Sequence, residues 1–158
     1  MRNRVKLCIA ALSLALAVGA TVGHANLGGD DPVSATTNAS YQEGAKAISA
    51  QDWNMAIELL TKAVQAEPNN SDAHNLLGFA HRKKGNFDTS FAHYEEALKL
   101  NPGHKNAHEY IGEAYLLTDN LPKAEQHLAT LAKICSPIPC EEYRQLKRAV
   151  DAYRKAKK

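Results

Sequence analysis

No catalytic signature runs through this sequence. It has no nucleophile motif, no glycine-rich phosphate loop and no metal-binding helix signature. Ser, His and Asp occur, but at no spacing that assembles a triad. The expectation is therefore a protein that is not an enzyme and carries no cofactor. Charge of one sign is not in excess either: 19 basic residues against 17 acidic ones give a net charge of +2. Bulk charge gives no argument for a nucleic-acid partner. Cysteine is scarce, with three in 158 residues. Cys135 and Cys140 are spaced C-x4-C. That is neither the C-x-x-C of a redox enzyme nor the C-x-x-C-H of haem attachment. Two thiols cannot by themselves close a structural zinc site.

Long apolar runs are absent but for one. Arg2, Arg4 and Lys6 form a basic head, and an Ala- and Leu-rich stretch runs from Leu7 to Val22 before Gly23-His24-Ala25. Small residues at the first and third of those last places complete the pattern of a secretory signal peptide, residues 1–25, cleaved after Ala25. Cleavage removes three basic residues and no acid, so the net charge falls from +2 to −1. The third cysteine, Cys8, leaves with the signal. The remaining pair is then even in number, and export favours a disulfide between Cys135 and Cys140. The expected location is periplasmic, with no membrane contact once the signal is gone. An uncleaved segment holding the same protein at the bilayer is the alternative.

Residues 26–36 follow with Gly28-Gly29, Asp30-Asp31-Pro32 and a Ser/Thr-rich stretch, and read as a flexible linker. From Thr37 the sequence repeats itself every 34 residues. Gly44, Gly78 and Gly112 keep that interval. So do Trp53, Phe87 and Leu121, then Ala56, Ser90 and Ala124, then Ala63, Ala97 and Leu131. A polar pair precedes each large apolar residue: Gln51-Asp52, Gly85-Asn86 and Asp119-Asn120. The pair breaks a first helix, and the large residue starts a second. Pro68 and Pro102 stop second helices, and Pro122 suits a first turn. Glycine inside a helix costs propensity, so close packing against a neighbouring helix explains it, with the small residue at Ala56, Ser90 or Ala124 across the contact.

With these residues the chain resembles the tetratricopeptide repeat family. Leu77-Gly78, Ser90, Tyr94, Ala97 and Pro102 carry the likeness in one unit, and Ile111-Gly112, Tyr115, Ala124 and Leu128 in the next. The resemblance implies an all-α, right-handed superhelical solenoid. Its three helix–turn–helix units would be 37–70, 71–104 and 105–138. Residues 139–158 would cover the last unit as a capping helix, since Tyr143, Leu146, Val150 and Tyr153 form an apolar stripe. Ser40, His74 and His108 stand where an aromatic is usual, and Glu43 where a Leu is. The first helix is therefore expected to bury a shifted stripe of Tyr41, Ala45 and Ile48.

The resemblance also implies a concave groove lined by the first helices. Its lining here would be Tyr41, Asn75, Phe79, Arg82, Asn106, Glu109, Glu113 and Leu116. The expected function is an exported scaffold or adaptor that binds a protein or peptide there. Asn75 and Asn106 suit a peptide backbone, and Phe79 and Leu116 suit apolar anchoring. Tyr41 and Ala45 replace the Lys and Asn of the family's clamp for acidic tails, so that activity does not carry over. A membrane-tethered assembly factor, or an accessory to a redox or haem-attachment enzyme, are the other classes open. Among the histidines, His104 and His108 lie four apart, but His104 follows Pro102-Gly103 and precedes the helix. His93 and His127 are repeat equivalents with no third ligand in view, so no metal site is expected.

Overall fold

A computed structural model describes residues 32–157 of the chain, with side chains from 39 onward. The signal segment and the linker as far as residue 31 lie outside the described residues. Seven helices and no strand are found among them: α1 (Pro32–Ser49), α2 (Trp53–Ala66), α3 (Ser71–Lys83), α4 (Phe87–Leu100), α5 (Lys105–Leu117), α6 (Leu121–Ile134) and α7 (Glu141–Ala156). Helix α1 begins inside the stretch expected as linker. Proline at its first position loses no hydrogen bond there.

Helices α2, α3, α5 and α6 start where a polar side chain takes up a free backbone N–H. Asp52 accepts from Met55, Asn70 from Ala73 and Asn120 from Lys123. Before α5 the cap is His104, whose Nδ1 accepts from the Ala107 N–H at 3.3 Å. The ring's Nε2 lies 3.0 Å from Asp72 Oδ1, off the line of a directed hydrogen bond. His104 therefore caps α5 and lies against Asp72 at the start of α3.

Helices α1, α3, α5 and α7 touch in that order and form one wall; α2, α4 and α6 back them. The core lies between the walls in two clusters. Ala47, Ala56, Leu60, Leu77 and Ala80 make the first. Tyr94, Ile111, Tyr115, Leu131, Leu146 and Val150 belong to the second. Fully burying each large aliphatic among them contributes about 1.5–3 kcal/mol.

The helical glycines sit at the tightest contacts. A Cβ on Gly44 would lie 2.7 Å from the Leu60 side chain, and one on Gly78 would lie 2.8 Å from the Tyr94 ring. The close neighbour is thus one turn beyond the small residue expected, although Ser90 does reach Gly78, donating its hydroxyl to the Gly78 carbonyl at 2.8 Å. The third unit departs. Gly112 faces Leu146 of α7, where an added Cβ would meet Cδ2 at 2.6 Å. Leu128, the periodic equivalent of Tyr94, is only half-buried. Against this glycine the nearest side chain comes from the terminal helix, while α6 still packs along α5 with Ala124 and Leu131 fully buried.

The shifted stripe expected in α1 is corrected. Gly44 and Ala47 are the buried positions, while Tyr41, Ala45 and Ile48 are half-buried and Glu43 is exposed. Packing between helices fixed the phase, because only a small residue fits against Leu60.

Candidate functional site

The residues expected to line the groove lie on the α1–α3–α5–α7 wall, at different depths. Asn106 is exposed, and Tyr41, Phe79, Glu113 and Leu116 are half-buried. Asn75, Arg82 and Glu109 form a floor, at 4%, 8% and 3% exposure. Spacing alone had assigned all eight to an open lining. Of these three, Arg82 lies against the Phe79 and Tyr110 rings.

Arg82 organises the centre. Its Nη1 donates to Glu113 Oε2 at 2.6 Å. The guanidinium lies 5.1 Å from the centre of the Phe79 ring and 5.5 Å from that of Tyr110. Phe79 itself packs 4.9 Å from Tyr110 and 6.1 Å edge-on from Trp53. It is therefore a packing residue as much as a groove residue. Three floor features stay unanswered. Asn75 Oδ1 and Arg82 Nε are buried without a hydrogen-bond partner. Glu109 accepts no hydrogen bond among the described residues. Burial pushes its carboxyl up to about 7, with Glu113 and Glu142 adding to the rise and Arg82 opposing it.

Beside this floor opens a cavity of about 280 Å³, lined by Arg82, Glu113, Leu116, Leu117, Ala149 and Tyr153. Leu117 is 62% exposed, which is unusual for a large aliphatic at a cavity mouth. Leu117, Ala149 and Tyr153 were absent from the expected lining. Tyr153 had been read as part of the capping stripe, but the side contributed by α7 follows only from where α7 docks.

A second cluster joins α3 to α4 and α5 to α6. His74 Nε2 donates to the Pro68 carbonyl at 2.9 Å, so its Nδ1 is bare and accepts from His93 Nδ1 at 3.2 Å. One repeat on, His108 Nε2 donates to the Pro102 carbonyl at 3.0 Å and His127 Nδ1 to His108 Nδ1 at 2.9 Å. Burial, and then the neighbouring histidine, pull His93 and His127 down to about 4. Burial also lowers His81 and His108. The rings of each pair are bonded to each other. Among the described residues, no group of three or more His, Cys, Asp or Glu is placed to hold a metal. The signal for the pairs was in the sequence, where both are 19 residues apart.

The sulfur atoms of Cys135 and Cys140 are at bonding distance, with Cα atoms 5.4 Å apart, between the end of α6 and the start of α7. Among the described residues, no helix is long and apolar enough to cross a membrane.

The tetratricopeptide repeat family matches residues 71–104. Subunit 3 of the anaphase-promoting complex of Schizosaccharomyces pombe is 26% identical over 115 residues, which is 67% of this chain and 17% of that protein. The chain thus spans under a fifth of that curated relative. In fold it is similar to the TPR2B domain of yeast Sti1, solved in a pHsp70 complex. The TM-score is 0.71 at 16% identity, over 77% of this chain and 98% of that one. The first TPR of Spaghetti, bound to the HSP90 peptide SRMEEVD, superposes with a TM-score of 0.66 at 20% identity, over 75% and 94%. Residues 71–104 match the tetratricopeptide repeat, and the helices around them share the fold of the solved tetratricopeptide repeat domains.

Proposed function

We propose that this protein is an exported scaffold that binds a peptide or protein segment on its concave wall, at the hollow between α3, α5 and α7. One observation carries the reading. The hollow is an open cavity of about 280 Å³ with Leu116, Leu117 and Ala149 on its wall beside the Arg82–Glu113 pair, and Leu117 is left 62% exposed. Apolar surface left open in a concave site, next to a few fixed polar groups, is what a bound side chain covers. The solved relatives bound to peptides support the same use of the fold.

Export is part of the reading. It rests on the basic head, apolar run and small-residue site of residues 1–25, and on two cysteines at bonding distance. Mass measurement of the protein purified from the cell envelope should show Asn26 at the N-terminus, with neither thiol alkylated before reduction. Intact Met1 there would replace cleavage with tethering.

For the groove, changing Leu116 and Leu117 to Ser should abolish cross-linked partner capture. The melting temperature should fall only slightly, because Leu117 is mostly exposed and Leu116 half-buried. Capture that survives the double change would show that binding lies elsewhere.

A further inference from the structure

We infer that the segment seated in the α3–α5–α7 hollow carries a basic side chain next to an aliphatic one, the cation answering Glu109 and the aliphatic group filling the cavity. The inference rests on the groove reading above and deepens it.

The charges do not balance at this place. Glu109 and Glu113 stand on α5 and Glu142 on α7, with Arg82 of α3 as the cation among them. Glu141 also bears on Glu109, but it is held by Arg144 and Arg148 at 2.8 and 3.1 Å. Arg82 is already committed to Glu113 and lies against two aromatic rings. That leaves Glu109, 3% exposed, sharing Arg82 with Glu113 and accepting no hydrogen bond among the described residues.

A carboxylate desolvated beside other carboxylates relieves its position by keeping a proton, and the raised pKa of Glu109 expresses this. An ammonium or guanidinium brought by a partner would do the same work with a directed, charge-assisted bond, and the proton would leave. The apolar half of the site is independent of this argument. The cavity of about 280 Å³ has Leu116, Leu117 and Ala149 on its wall. It lies directly beside Glu113, one turn along α5 from Glu109, so a segment whose aliphatic side chain fills the cavity would bring a neighbouring cation toward Glu109. An acidic segment such as SRMEEVD would meet like charge here. The periodic equivalent of Glu109 in the preceding unit is Asn75, so the acid is peculiar to the third unit.

The test is selection from a phage-displayed dodecamer library on the mature chain, followed by anisotropy with the selected peptide, its Lys/Arg-to-Glu twin and SRMEEVD. Enrichment of Lys or Arg beside Leu, Ile or Val is expected, with the twin at least tenfold weaker. Because the bound cation displaces a proton from a carboxyl of pKa about 7, affinity should rise about tenfold from pH 6 to pH 8. Glu109→Gln, near in shape, should remove that rise without lowering the melting temperature, since it also removes a buried carboxyl that costs stability as pH rises. Selection of acidic or uncharged sequences overturns the inference, and so does a basic peptide whose pH dependence survives Glu109→Gln. If no basic peptide emerges but Leu116→Ser with Leu117→Ser still abolishes native capture, the inference fails and the groove reading stands. If native capture is untouched by that pair, the groove reading itself fails.

Discussion

The second and third repeats share a scaffold and differ in what closes it. Both bury an alanine at the same places, both hold a histidine pair against the carbonyl of a proline, and both carry a glycine in mid-helix. Gly78 is closed by Tyr94 and by the Ser90 carbonyl, from its own second helix. Gly112 is closed by Leu146, from a helix outside the period. The concave positions diverge as well: Asn75, Phe79 and Arg82 in one, Glu109, Glu113 and Leu116 in the other. What repeats holds the helices together, and what fails to repeat builds the hollow. In a solenoid each unit touches only its neighbours, so the last unit is free to trade partners with a terminal helix.

The largest expected effect would sharpen this difference. Gly78→Ala places a methyl 2.8 Å from a fully buried ring and 3.1 Å from a backbone carbonyl. Neither moves easily, and the cost should be about 1–3 kcal/mol. Gly112→Ala meets the Leu146 side chain first, and the nearest atoms are the far end of that flexible side chain rather than backbone. The gain in helix propensity, about 1 kcal/mol, then offsets much of the strain. Denaturant melts of the two variants should differ clearly. Equal losses would mean that α7 is held as rigidly as an internal helix.

The next effect should be alike in the two repeats, and unlike behaviour would break the comparison. His93 and His127 have folded pKa values of about 4, below the ordinary 6.5. As pH falls, the unfolded chain therefore binds protons first. Their contribution is complete above about pH 6.5 and is lost between there and pH 4. With screening and coupling discounted, the loss is about 1–2 kcal/mol across both pairs. Thermal melts at pH 7 and pH 4.5 should show it. His93→Gln and His127→Gln should each flatten the acid slope. A slope unchanged by either would remove the pair from the account.

Periodicity made the fold readable and hid part of the site. Gly44, Gly78 and Gly112 set the register because steric contact admits nothing larger, and such constraints leave a mark at every repeat. The replacement of Leu128 by Leu146 leaves none, since both residues are simply Leu in an apolar stripe. Leu117, Ala149 and Tyr153 joined the hollow only once α7 was placed. Depth was equally hidden. Asn75, Arg82 and Glu109 occupy positions that face the groove by phase, but how much covers them depends on Phe79, Tyr110 and α7. The doubt about α1 arose from Glu43, an exposed residue that says nothing about packing.

The smallest expected effect lies in the turns between paired helices, where all three repeats meet the same demand. Gln51, Gly85 and Asp119 stand 34 residues apart and have positive φ, at 59°, 79° and 57°. Residues with a Cβ pay about 1 kcal/mol to adopt that conformation, and glycine does not. Nothing lies within 4 Å of where a Cβ on Gly85 would point, so Gly85→Ala isolates the backbone cost and should destabilise by about 1 kcal/mol. Gln51→Gly relieves the same strain but loosens the unfolded chain, and should stabilise by a few tenths of a kcal/mol. Asp119→Gly relieves it too, yet it removes an acceptor for the Tyr153 hydroxyl at 2.9 Å and a partner for Lys157 Nζ at 2.9 Å. Both contacts are exposed and weak, and their loss is expected to cancel the gain. The three melts should therefore rank Gln51→Gly above wild type, Asp119→Gly level with it and Gly85→Ala below. Stabilisation by Asp119→Gly equal to that by Gln51→Gly would show that the bonds from α7 to this turn contribute nothing to holding the terminal helix.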